Sequence, residues 1–143
     1  MDANISNDSI SQLSEIFHII GQLNRVKILL VIGQEEACVC HIEAVLHIRQ
    51  ATISQHLKIM RDAGLLTAER SGRNIFYRLA ITKLYDAILQ MAFTAGISSD
   101  ELGWFATRPI PSCPCPACNP GQDPALSCQK INADSMSRNL AEG

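Results

Sequence analysis

Apolar residues recur along the first hundred positions with two different periods. Ile10, Leu13, Phe17 and Ile20 follow an S-x-x-Q capping box of Ser9 and Gln12 at helical spacing, which predicts a first helix from about 9 to 21. Val26, Leu29 and Leu30 predict a second helix, stopped by Gly33. A short segment from Val39 to Leu46 places Ile42, Val45 and Leu46 on one face, and a longer helix from about 50 to 63 buries Ile53, Leu57 and Met60 before ending at Gly64. The period then falls to two. Ile75, Tyr77 and Leu79 alternate with Asn74, Phe76 and Arg78 behind a Ser71-Gly72 turn, the pattern of a β-hairpin whose tip carries Arg70, Arg73 and Asn74. Leu84, Ile88, Met91 and Ala95 return to helical spacing as a stripe narrow enough to be a seam against a second helix, as in a dimer.

All six prolines lie between residues 109 and 124, so the first hundred residues are free to be regular while that stretch cannot be helical. The chain of 143 residues therefore divides into a folded domain at 1–100 and a Pro/Cys-rich tail at 101–143, which the polar composition beyond Pro124 marks as partly disordered. The longest aliphatic run, Ile28 to Ile32, is far short of the roughly 20 residues of a membrane span, and the acidic start lacks the cations of a signal peptide. The expected location is cytoplasmic.

Net charge is −2, but it is unevenly spread. Residues 49–80 hold six cations (Arg49, Lys58, Arg61, Arg70, Arg73, Arg78) against two anions (Asp62, Glu69), inside an otherwise acidic chain. A basic centre of this kind is the electrostatic footprint of a polyanion-binding surface. A short helix, a tight turn around Ile48 to Gln50, a longer helix and a basic hairpin follow in the order of a winged helix-turn-helix. The fold expected is mainly α, with a two-stranded β wing and dimerisation through the terminal helices. The polar face of the second helix presents Gln50, Thr52, Gln55, His56 and Lys58. Glutamine can pair bidentately with adenine, while Lys58 and Arg61 can neutralise phosphates. The alternative is a helical bundle whose polar faces are merely solvated; helix order, hairpin, charge and stripe together favour double-stranded DNA.

Several runs carry a resemblance: LNRVKILL from Leu23 to Leu30, Glu36-Ala37-Cys38-Val39-Cys40, Gln50 to Lys58 (QATISQHLK), Ala63-Gly64-Leu65-Leu66, and Gly72 to Leu79 (GRNIFYRL). Over about residues 9–96 the chain resembles the ArsR/SmtB family of metal-responsive bacterial repressors. The resemblance implies a homodimer that binds an inverted repeat in its operator, needs no cofactor to do so, and leaves it when a toxic metal or metalloid binds. It puts Gln50, Thr52, Ser54, Gln55 and His56 on the recognition helix and Arg73 and Asn74 on the wing. Arg49 departs from the pattern: many relatives carry a helix-capping serine there, and arginine cannot cap but adds a phosphate contact.

Six cysteines divide into Cys38 and Cys40 in the body and Cys113, Cys115, Cys118 and Cys128 in the tail. Without a secretory signal, closely spaced cysteines point to metal-binding or redox thiols. Cys38-Val39-Cys40 resembles the Cys-Val-Cys element of the arsenite-sensing and cadmium/lead-sensing branches, in what is expected to be an exposed turn. Residues two apart on a helix diverge by about 200°, so joint chelation requires that turn to open. Where one arsenic-sensing branch has a third cysteine this chain has Glu43, so the CxCxxC cluster of Cys113, Cys115 and Cys118 is the expected source of further ligands. Three thiolates suit arsenite or antimonite; four suit cadmium, lead or zinc. Alternatives are an independent tail zinc clip, buried cysteines that merely fill space, a redox or persulfide-sensing repressor, and a metal-buffering protein. His41, beside Cys40, reads as a solvated or capping residue. The Asp/His/Glu site of zinc-sensing relatives is missing, because no histidine follows His56. No catalytic pattern is present, and the chain is not expected to be an enzyme.

Overall fold

The computed structural model describes residues 7–107, so Cys113, Cys115, Cys118, Cys128 and all but the first few residues of the expected tail lie outside the described residues. The elements run α1 (Asn7–Ile20), α2 (Leu23–Ile32), β1 (Ala37–Cys38), α3 (Val39–Leu46), α4 (Gln50–Asp62), β2 (Leu66–Ser71), β3 (Asn74–Leu79), α5 (Lys83–Thr94) and α6 (Ser99–Phe105). The architecture is mainly helical with a small antiparallel sheet, a winged helix-turn-helix.

Helix α2 is the centre of the core. Its run from Ile28 to Ile32 is buried on every side because α3, α4, β3 and α6 all pack around it. Ile42 from α3 and Ile53, Leu57 and Met60 from α4 are fully excluded from solvent against it. Each such side chain contributes about 1.5–3 kcal/mol through burial, which fixes α3 and α4 on one scaffold. Gly33 closes α2 at φ 56° and ψ −135°, backbone that a side chain would strain, and its N–H bonds Leu29 O at 2.9 Å. Between α3 and α4 the chain reverses through His47, left-handed at φ 55° and ψ 37°.

The structure departs from the sequence reading in the capping of α1 and beyond residue 100, and adds two features to it. Helix α1 begins by Asn7, so Ser9 lies within it and does not cap it. Its apolar face is not in this chain's own core either: Ile20 is buried, but Ile10, Leu13 and Phe17 stand about half exposed. The two-stranded wing forms as β2 and β3, and β1 joins it as a third strand in the order β1-β3-β2. Strand β1 pairs with the wing through Ala37↔Tyr77 and Cys38↔Phe76, which covers the second edge of β3 where Phe76 and Tyr77 are buried. Finally, structure continues past residue 100, because α6 is capped by Ser98, whose Oγ accepts from Glu101 N, and docks Leu102 into the core beside α2.

The wing closes through a two-residue loop, Gly72-Arg73, between the paired Ser71 and Asn74. Only Gly72 of the loop has positive φ, at 63°, which is the pattern of a type II′ hairpin turn.

Candidate nucleic-acid interface and thiol pair

Helix α4 separates its faces cleanly. Ile53, Leu57 and Met60 point into the core, while Ser54, Gln55, Lys58 and Arg61 are exposed and Gln50, Thr52 and His56 are half-buried at the margin. Its N-terminus begins at extended Arg49, which makes no side-chain capping bond. Arg49 is exposed beside the first turn of α4, where a cation is suited to a phosphate. Arg70 and Arg73 are exposed at the wing tip, whereas Arg78 pairs with Glu36 at 3.0 Å on the surface.

Two of the expected reading residues are held from behind. The Nε2 of Gln50 donates to Glu43 Oε2 at 2.6 Å, joining α4 to α3. His56 Nδ1 accepts from Arg25 Nε at 3.1 Å, and the same guanidinium donates through Nη1 to Ile19 O at 3.0 Å. Arg25 thus ties the end of α1 to the middle of α4. Burial, and secondarily the Arg25 charge, hold the His56 imidazole below its ordinary pKa, so the neutral form that can accept this bond is favoured.

Asn74 is a correction. Placed on the wing as a DNA contact, it is only 1% exposed and hydrogen-bonded within the fold, since it opens β3 under the turn rather than at the turn's crest. Arg73 alone of that pair reaches solvent.

The thiol pair is also corrected. Cys38 and Cys40 are buried, at 1% and 3% exposed, and not in an exposed turn. The backbone does resolve the divergence expected of two helical cysteines: Cys38 ends β1 in extended conformation, and only Cys40 is on α3. His41 is buried at 2%, neither solvated nor capping; the residue taking the capping role is His47. Among the described residues no group of three or more His, Cys, Asp or Glu side chains is placed to hold a metal ion. The two thiols are soft donors of the right kind for a thiophilic ion, but too few to complete a site. Arg25 and Glu43, which hold His56 and Gln50 from behind, were not legible as functional, because each meets its partner only in the folded chain.

Residues 24–68 match the model of the bacterial regulatory proteins of the arsR family. The matched segment runs from α2 through α3 and α4 to the start of the wing. The chain is 42% identical over 72 residues to the HTH-type transcriptional repressor SmtB of Mycobacterium tuberculosis, covering 50% of this chain and 53% of that protein. It is 34% identical over 67 residues to the arsenical resistance operon repressor of Escherichia coli, covering 46% and 57%. The chain thus spans about half the length of these curated relatives. Among solved structures it is similar to the transcriptional repressor BigR of Xylella fastidiosa, with a TM-score of 0.58, 22% identity and coverage of 64% and 93%. The homodimeric winged helix-turn-helix domain Mb0332 of Mycobacterium bovis also matches, with a TM-score of 0.58, 23% identity and coverage of 66% and 90%. No helix among the described residues is long and apolar enough to cross a membrane.

Proposed function

We propose that this protein is a cytoplasmic transcriptional repressor that binds an operator inverted repeat as a homodimer and is released when a thiophilic metal or metalloid binds its cysteines. Reading of double-stranded DNA is assigned to Gln50, Thr52, Ser54, Gln55 and His56, with Arg49, Lys58 and Arg73 on phosphates. The half-exposed Ile10, Leu13 and Phe17 of α1 and Met91 of α5 are the surface available for a partner subunit.

One observation carries the regulatory half. The Cys-Val-Cys element spans the joint between β1, which pairs with wing strand β3 at Cys38↔Phe76, and α3, which packs on α4. Both DNA-contacting parts therefore lean on the segment that holds the two thiols. Because those thiols are buried, a ligand that takes them must favour a conformation in which the joint has opened, and that difference in affinity is what appears as release. Cys113, Cys115 and Cys118 are proposed to supply the remaining donors, with arsenite or antimonite suited to three thiolates and cadmium or lead to four.

The test is fluorescence anisotropy of the reduced protein on a duplex carrying its upstream inverted repeat, titrated separately with arsenite, cadmium and zinc. Release by arsenite or cadmium near one ion per subunit supports the reading. Cys38→Ser is expected to keep DNA binding and lose release. Tight binding that no ion disturbs but a thiol oxidant does would replace metal sensing with redox sensing, and absence of sequence-specific binding would end the repressor reading.

A further inference from the structure

Gln50 is the first residue of α4, at the end of a reading helix that meets base edges in the major groove. Its side-chain amide has two N–H donors and one carbonyl acceptor, and a bidentate pair with adenine uses one donor and the acceptor. The remaining donor is the one spent here: Gln50 Nε2 bonds Glu43 Oε2 at 2.6 Å. A carboxylate accepts and does not donate, so it holds the NH₂ side of the amide and repels the flipped orientation, in which two oxygens would meet. An unrestrained glutamine could turn its amide either way and offer the opposite pattern to a different base.

Glu43 is itself firmly placed. It stands on α3 between the buried anchors Ile42 and Val45, and its carbonyl accepts from His47 N at 2.8 Å to hold the turn that leads into α4. Its backbone is therefore held in place, and in the DNA-free protein its carboxylate already holds the Gln50 amide in one orientation. This preorganisation is what converts a permissive side chain into a selective one.

We propose that Glu43 is a positioning residue for base readout: it orients the Gln50 amide so that its free N–H and carbonyl match an adenine edge. The proposal rests on α4 being the DNA-reading helix. It goes beyond that reading by assigning the preference for one base to a residue that does not touch the base.

The experiment enriches a random duplex pool on the full-length reduced protein and on Glu43→Ala, Glu43→Gln and Gln50→Ala, with circular dichroism confirming that each variant is folded. A bidentate pair is worth about 5- to 150-fold in base discrimination. Gln50→Ala should identify one position per half-site at which adenine preference collapses. Glu43→Ala should weaken preference at that same position by at least about fivefold, leaving the others within about twofold. Glu43→Gln, whose amide can donate as well as accept, can hold the Gln50 amide in either orientation and should therefore not restore the preference. Unchanged preference in Glu43→Ala, uniform loss across all positions, or full preference retained in Glu43→Gln would each overturn the proposal while leaving DNA binding intact. Failure of the unaltered protein to enrich any sequence would instead overturn the function on which it rests.

Discussion

Replacing Arg25 by alanine tests how α4 is held. The guanidinium makes two hydrogen bonds, to His56 Nδ1 at 3.1 Å and to Ile19 O at 3.0 Å, at a half-buried site where α1, α2 and α4 meet. At about 0.5–1.5 kcal/mol net for each bond, their joint loss should cost about 1–3 kcal/mol. With a urea slope of about 1–3 kcal/mol/M, the unfolding midpoint should fall by about 1 M at fixed protein concentration, read by far-ultraviolet circular dichroism. The variant also moves a second observable. Burial is the larger cause and the Arg25 charge the smaller cause of the depressed His56 pKa, so removing Arg25 should raise it part of the way back toward 6.5, seen as a shifted imidazole titration by NMR. The sign for stability follows from the direction. A histidine depressed in the folded state takes up protons less readily than in the unfolded chain, so its contribution is complete above 6.5 and is lost as pH falls through the folded-state value. In Arg25→Ala that acid-side loss should be smaller. An unchanged urea midpoint together with an unchanged His56 titration would refute the Arg25 bridge.

Leu57→Ala, at a position with no solvent exposure, should destabilise the fold by about 2–5 kcal/mol, and a loss under about 1 kcal/mol in chemical denaturation would contradict the packing of α4 on α2. Asn74→Ala should lower stability by about 1–3 kcal/mol yet leave the DNA affinity of the folded protein within about twofold, because the residue is structural. Arg73→Ala should do the reverse, keeping the melting temperature while reducing the salt dependence of DNA binding by about one unit of slope. Leu13→Ser with Phe17→Ser should shift sedimentation toward a monomer with little loss of helical signal, since both side chains already stand half exposed in the single chain.

Local periodicity in the sequence reaches a long way. Segment Val39–Leu46 and the helix from Gln50 follow from apolar spacing and from Gly33 and Gly64, because a helix is built from bonds between residues four apart. The hairpin follows from alternation and a glycine turn for the same reason. Candidate chemistry was legible in kind: an amide-rich, basic helix face, a wing arginine and two soft thiols, all properties of residue type. These pointed to a winged helix-turn-helix with a polar, basic face on its second helix and a Cys-Val-Cys element before the first.

Tertiary structure decided whatever depends on residues far apart in the chain. A two-residue strand has no period of its own; β1 exists because β3 supplies its hydrogen bonds, and with it came the burial of Cys38 and Phe76. The Arg25 to His56 bridge joins residues 31 positions apart and the Arg78 to Glu36 pair residues 42 apart, so neither has a local signature. Asn74 looks like a turn residue by type and is buried by the packing beneath it. Helix α6 shows one satisfied cap in its sequence, but its position against α2 comes from a vacant apolar surface that only the assembled core creates. Short-range hydrogen bonds and side-chain spacing are written along the chain; burial and long-range polar contacts arise only when separate elements meet, and that meeting determines which polar side chains still face solvent.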